Sequence, residues 1–208
     1  MKVKICGLQP TRDVQLCVDL GVNYLGFVFY EKSPRNLKLE DVKKLKNFNK
    51  KNSFFVAVTV NPSDEFIKNV VLNKFDFIQL HGSETKSRIK EIKAMGLKVI
   101  KAIKVKKEAD IYSFKKYEEA DIILFDTPGM EKSIEFPKSL ISKLPKGERY
   151  ALAGSISQNN IENIAKLGVT FCDLSSSLEL DTQIGYKDHS KIKKFIDKVK
   201  EINENTTI

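Results

Sequence analysis

Cysteine and histidine are scarce in this chain of 208 residues, which has three of the first (Cys6, Cys17, Cys172) and two of the second (His81, His189). An odd number of thiols without CxxC or metal-ligand spacing suggests neither a disulfide framework nor a zinc site. No metal and no cofactor is therefore expected. Long apolar runs are missing too. No stretch approaches the roughly 20 residues needed to cross a bilayer, and no charged segment followed by an apolar one opens the chain. Together with thiols that suit a reducing compartment, this leads to the expectation of a cytoplasmic protein with no membrane partner. There is no Gly/Pro/Ser-rich linker and no low-complexity tract to mark a domain boundary.

What is present describes an ordinary globular chain. Hydrophobic residues make up 41% and charged residues 30%, enough for a sizeable core. One domain spanning 1–208 is expected, with a frayed tail at 201–208. The formal charge of +9 would attract any polyanion, nucleic acid or a small phosphorylated substrate alike. The lysines, however, recur along 41–51, 86–93 and 187–200 with few aromatics among them, as on solvated helix faces. A nucleic-acid surface would concentrate arginine and aromatic residues on one element, so no nucleic-acid partner is expected.

Eight short runs rich in Val, Ile and Phe punctuate the sequence, namely VKIC, YLGFVF, FFVAVTV, FDFIQL, KVIKAI, DIILFD, YALAG and TFCDLS. A lysine-rich amphipathic stretch follows nearly every one. Several runs are almost continuously apolar, as parallel strands are when helices cover one face and a packed interior fills the other. Thr11, Ser63, Ser83 and Ser157 are candidate helix caps, and Gly21, Gly96 and Gly168 fall where helices should end. Repeated β-then-α units of this size favour an α/β fold of the (β/α)8 TIM-barrel type, as a single domain.

In such barrels chemistry gathers at the C-terminal ends of the strands. The polar residues closing each run are Cys6-Gly7, Ser33-Pro34-Arg35, Asn61, Gln79 with His81-Gly82, Lys104, Asp126, Gly154-Ser155, and Asp173 with Ser175 to Ser177. Each has a plainer interpretation. Cys6 could be a small buried hydrophobe, Asp126 a helix cap, Arg35 one more solvated cation, and the glycine and serines tight turns. Position argues otherwise for Cys6, which closes a strand before glycine. Proline pins the loop carrying Arg35, and Ser175-Ser176-Ser177 adds hydroxyl donors to any turn.

The segments KICGL, GFVFYEKSPR, VTVNPS, IQLHG, LFDT, LAGSI, DLSSSLE and GYKD, in this order along nearly the whole chain, resemble the phosphoribosylanthranilate isomerase family. The resemblance implies an Amadori rearrangement of N-(5'-phosphoribosyl)anthranilate to 1-(2-carboxyphenylamino)-1-deoxyribulose 5-phosphate in tryptophan biosynthesis. By that resemblance Asp126 is the general acid and Cys6 the general base, while Arg35 takes the anthranilate carboxylate. Lys4, Gln79, His81 and Asp173 contact or orient the substrate. Phosphate is expected at Gly154, Ser155, Ser175, Ser176 and Ser177. The partner would be a small phosphosugar, and the chain a monomer or homodimer. The alternatives are another phosphosugar-barrel enzyme or a non-catalytic phosphate-binding barrel. A synthase of the first kind would want a catalytic lysine pair and an epimerase metal-binding histidines, and a bare phosphate scaffold needs neither Cys6, Asp126 nor Arg35.

Three features depart from the family pattern. The loop after strand six is short, leaving Lys132 or Ser133 to substitute for a glycine-rich segment, and Ser155 and Ser177 stand where glycines are expected. Three physical expectations follow from the residues themselves. A thiol near its ordinary pKa of about 8.5 is only a few per cent ionised at neutral pH, so a basic Cys6 needs a nearby cation, and Lys4 shares its strand face. Lys4 in turn needs a carboxylate, and Asp173, inward on the neighbouring strand of a closed barrel, is expected to supply it. Asp126 must have its pKa raised, by burial or a neighbouring anion, to donate a proton.

Overall fold

A computed structural model of the chain describes residues 1–9, 12–45, 48–72, 74–128 and 135–206, the side chains of 12 and 206 excepted. Eight parallel strands close into a barrel in sequence order: β1 (Lys2–Cys6), β2 (Tyr24–Phe29), β3 (Phe54–Thr59), β4 (Phe77–Leu80), β5 (Lys98–Lys104), β6 (Ile122–Asp126), β7 (Tyr150–Leu152) and β8 (Phe171–Leu174), with β8 hydrogen-bonded back to β1. Every expected run is a strand.

The strand period of two divides each run between two cores. Outward residues such as Ile5, Phe27, Ile78, Val99, Phe125 and Leu174 pack with helix residues including Val14, Ile89, Ile92, Ile161, Ile192 and Phe195. Each such side chain contributes about 1.5–3 kcal/mol on burial. Inward residues form a second cluster, with Tyr24, Phe77 and Phe171 low in the barrel and Val28, Val58, Ala102, Leu124 and Ala153 above them. Tyr24 stacks on Phe171 at 4.9 Å and meets Phe77 edge-on at 5.4 Å, so aromatic rings plug the floor. What remains open is the mouth at the strands' C-terminal ends.

The covering helices are α1 (Arg12–Asp19), α2 (Leu39–Val42), α3 (Asp64–Phe66), α4 (Lys86–Ala94), α5 (Glu108–Ile111), α6 (Lys138–Ile141), α7 (Ile161–Lys166) and α8 (His189–Thr206). Ser63 caps α3 as expected, accepting a hydrogen bond from the Phe66 amide. Gly21, Gly96 and Gly168 all take positive φ at helix ends. Thr11 lies outside the described residues. Three expectations need correction. The cap of α4 is Thr85 and not Ser83, whose amide is instead bound by Asn61. Ser157 opens a turn that leads to Asn160, and α7 begins only at Ile161. The stretch from 201 is helical as far as Thr206, continuing α8, which buries Ile192, Phe195, Ile196 and Val199.

One element was not anticipated. Between β8 and α8 the chain makes a small antiparallel hairpin, β9 (Glu179–Leu180) with β10 (Gln183–Lys187), whose turn at Asp181-Thr182 carries no glycine signal. Gly185 in β10 has φ +87°, and a Cβ there would stand 2.8 Å from the Pro34 carbonyl oxygen. The hairpin thus packs directly on the loop after β2. No helix among the described residues is long and apolar enough to cross a membrane.

Candidate active site

The open mouth holds a cavity of about 410 Å³ lined by Cys6, Arg35, Gln79, His81, Lys104, Asp126, Gly154, Ser155, Asp173 and Ser175 to Ser177, with Val28, Tyr30, Val58, Val60 and Ile156 as apolar wall. All the expected site residues but Lys4 line it. Lys4 lies one layer lower, on the same strand face as Cys6.

Lys4 and Asp173 are register partners on β1 and β8, and their side chains form the expected ion pair at 2.8 Å, 1% and 7% exposed. Gly26 on β2 makes room for it. A Cβ there would stand 3.1 Å from both the Lys4 Nζ and the Cys6 Sγ. Burial alone would lower the pKa of Lys4, but Asp173 and then Cys6 outweigh it and raise it, so the ammonium stays charged. Asp173 Oδ1 has no partner among the described residues and is buried. It is an acceptor suited to a sugar hydroxyl.

Asp126 closes β6 on the far side of the mouth. Burial, reinforced by the negative charge of Asp173, pushes its carboxyl up to about 7, against the pull of the Thr127 amide and of Lys4 and Lys104. A carboxyl at that value holds a proton at neutral pH often enough to donate it.

Cys6 does not behave as anticipated. Burial pushes its thiol up, and the ammoniums of Lys4 and Lys187, with Asp173 working against them, do not bring it back to its ordinary value. In the resting site Cys6 is a thiol, and Lys4 is not its sole cationic neighbour. Gly7, next along, has φ +76°, and a Cβ there would meet the Arg35 Cδ at 2.7 Å. Glycine is required both for the turn and for the arginine lying across it.

Arg35 is buried, and its guanidinium is gripped along one edge by Glu179, Nε to Oε1 at 2.6 Å and Nη2 to Oε2 at 2.9 Å. The sequence offers the whole fork to a ligand, whereas the fold commits the Nε side to an internal carboxylate. Glu179 also accepts from Lys187 Nζ at 3.0 Å. Burial opposes its ionisation, but Arg35 and Lys187 prevail and hold its carboxyl at about 2. Neither Glu179 nor Lys187 is singled out by sequence reasoning, although both stand in the DLSSSLE and GYKD segments. The missing signal is the hairpin that brings them under the mouth.

His81 follows β4 and contacts Gln79 side chain to side chain, Nε2 to Nε2 at 2.5 Å, while the buried Gln79 Oε1 has no partner among the described residues. Exchanging the amide's N and O assignment would let the imidazole N–H donate to Oε1. Burial, then Lys4, Lys101 and Lys104, drive the His81 pKa down to about 3. The ring is neutral and serves as a hydrogen-bonding group. Its loop is held by a second unanticipated pair. Lys101 and Glu84 meet at 2.7 Å, each 2% exposed, and Glu84 also receives the amides of Asn61 and Gly82.

After β7, Gly154 and Ser155 both have positive φ, +104° and +46°. Ser155 thus adopts a left-handed conformation, at a cost of about 1 kcal/mol for a non-glycine residue. Asn160 fixes this turn, donating to the Ser155 carbonyl and accepting from the Ser157 amide, each at 2.9 Å. Ser177 has no positive φ and lies in a single helical turn, Ser176–Leu178, so serine costs nothing there. Lys132 and Ser133 lie outside the described residues. No cluster of three or more metal-ligating side chains occurs among the described residues.

The comparisons with known proteins agree with this geometry. A model of the family described as N-(5'-phosphoribosyl)anthranilate (PRA) isomerase matches residues 3–198. Enzymes named N-(5'-phosphoribosyl)anthranilate isomerase are similar over almost their full length: that of Aquifex aeolicus is 37% identical, covering 96% of this chain and 98% of its own, and that of Agrobacterium fabrum 34%, covering 95% and 94%. Among solved structures, phosphoribosylanthranilate isomerase from Thermotoga maritima superposes with a TM-score of 0.84 at 30% identity, covering 97% of this chain and 99% of its own. A phosphoribosylanthranilate isomerase solved in complex with reduced 1-(o-carboxyphenylamino)-1-deoxyribulose 5-phosphate gives 0.82 at 31% identity, with the same coverage. The chain belongs to the phosphoribosylanthranilate isomerase family.

Proposed function

We propose that this protein isomerises N-(5'-phosphoribosyl)anthranilate to 1-(2-carboxyphenylamino)-1-deoxyribulose 5-phosphate, an Amadori rearrangement in tryptophan biosynthesis. The observation that carries the reading is the placement of an acid and a potential base on one cavity, Asp126 from β6 with its carboxyl raised to about 7, and Cys6 from β1. The Asp126 carboxyl gives its proton to the furanose ring oxygen as the C1'–O bond breaks, and the nitrogen lone pair forms an iminium. Cys6, as thiolate, takes the C2' proton, and the released electron pair neutralises the iminium to give an enolamine. Loss of the O2' proton with protonation at C1' completes the ketone. The iminium's positive charge, added to that of Lys4, favours the thiolate when it is needed.

Around these two groups, Arg35 supplies positive charge for the anthranilate carboxylate, the Val28 and Val58 wall takes the ring, and Asp173, Gln79 and His81 receive the sugar hydroxyls. Phosphate sits against Gly154, Ser155 and Ser175 to Ser177, where small residues let the backbone approach. The enzyme acts as one domain, in the cytoplasm, as a monomer or homodimer, without metal, cofactor or nucleic acid. Substrate fluorescence tests the reading: it decays on adding purified protein if the chain is an isomerase, and stays unchanged if the barrel only binds phosphate.

A further inference from the structure

Lys187 is fully enclosed beside the mouth and has no part in the chemistry just described. Its side chain is 0% exposed, and its Nζ donates to Glu179 Oε1 and to the Ser175 carbonyl, each at 3.0 Å. Ser175 in turn donates its hydroxyl to the Cys6 carbonyl at 3.1 Å, so the ammonium is tied to the backbone that carries the thiol. Since Glu179 also binds Arg35 through both carboxylate oxygens, one buried anion stands between two buried cations. The row carries a net charge of +1, and burial of an uncompensated charge is costly.

Cys6 is the neighbour able to supply the missing negative charge. Lys4 faces it from β1 and Asp173 from β8, and these neutralise each other at 2.8 Å. β2 brings only Tyr24, Gly26 and Val28 to the interior, while Arg35 crosses from the following loop against Gly7. α1, packed behind β1, brings Asp13, which pairs with His189 at 2.9 Å. Asp126 and His81 line the opposite wall. Lys4 also donates to the thiol, but Asp173 offsets its charge, so the surplus positive charge beside the thiol belongs to the hairpin row.

We infer that Lys187 is a positioning residue for the isomerisation, its ammonium, held by Glu179 and the Ser175 carbonyl, being the counter-charge against which Cys6 gives up its proton, while the same Glu179 orients Arg35. The inference rests on the reading of Cys6 as general base and adds to it the element that makes the base available. Because Arg35 lies at the carboxylate end of the cavity and Cys6 at the sugar, one carboxylate of the β9–β10 hairpin serves both. Burial lowers the Lys187 pKa, and Glu179 offsets this only in part.

The test is the pH dependence of Cys6 alkylation by iodoacetamide in the intact protein. Cys17 and Cys172 are buried, with thiols pushed up to about 12, so the reaction reports Cys6. Lys187→Gln should move the midpoint upward by about one pH unit, an approximately tenfold loss of thiolate below it. Glu179→Gln, which removes the compensating anion, should move it downward, and Lys187→Arg should leave it near wild type. Opposite shifts are what a charge effect produces, and either substitution decides alone if the other does not fold. Midpoints that do not move, or that move in the same direction in both variants, overturn the inference. If wild-type protein shows no turnover, the isomerase reading fails while these midpoints still decide the role of Lys187.

Discussion

Lys4 and Asp173 stand in register on β1 and β8 and form a 2.8 Å ion pair in the barrel interior, directly below the thiol of Cys6. A pair so deeply buried is not a source of stability relative to an apolar interior, but neither member can be lost alone. Lys4→Met or Asp173→Leu should each cost about 3 kcal/mol, because an unpaired charge stays behind, and the double variant should cost clearly less than the sum. Urea denaturation of the three variants checks this. Additive losses would show that the two residues do not act as a pair.

Asp126 should tie both stability and activity to pH, in adjoining ranges. An unfolded aspartate titrates near about 3.9, whereas the folded carboxyl is held up to about 7. Between those values the native state keeps a proton the unfolded chain has lost, so stability falls as pH rises through this window. Asp126→Asn should therefore be more stable than wild type by about 2 kcal/mol at pH 8, after discounting for solvent at the mouth, with the gain vanishing near pH 3. Wild-type kcat should decline above about pH 7 as the acid form disappears. Equal stability of the two proteins at both pH values would contradict the raised carboxyl.

Gly7→Ala should act on binding more than on chemistry. The new methyl would press on Arg35 from a backbone with φ +76°, costing about 1–2 kcal/mol in stability and displacing the guanidinium. KM should rise about tenfold with a smaller change in kcat. A fall in kcat with unchanged KM would show that Arg35 does not bind the substrate in the ground state.

His81, at about 3, carries no charge that a physiological pH profile could register. His81→Asn should lower kcat/KM by about tenfold through a lost hydrogen bond and leave the shape of the profile unchanged. Disappearance of a limb between pH 5 and 8 would instead make the imidazole a proton carrier.

How far the sequence discloses this site depends on the range over which its physics acts. The strand runs are local, and period-two alternation by itself places Lys4, Cys6, Asp126 and Asp173 on the inner face. Even the Lys4 to Asp173 pair follows from parity and barrel closure. Glu179 and Lys187 escape because their meaning lies in a two-residue strand and a turn without glycine or asparagine, which leave no periodic trace. The Lys101 to Glu84 pair is hidden for a related reason. Lys101 is on the outward face of β5, where a lysine ordinarily reads as solvated, and only tertiary packing buries it at 2% exposure. The direction of the Cys6 pKa is likewise beyond sequence, since it is the balance of burial and the Asp173 charge against Lys4 and Lys187, groups brought together from three elements.

Whether Cys6 and Asp126 act on opposite sides of one sugar is decided by measuring turnover and product-analogue affinity together in Cys6→Ser and Asp126→Asn. Each variant should lose at least about 100-fold in kcat while binding the reduced product analogue within about threefold of wild type, a difference below about 1 kcal/mol. Near-wild-type turnover in either variant would contradict that joint action.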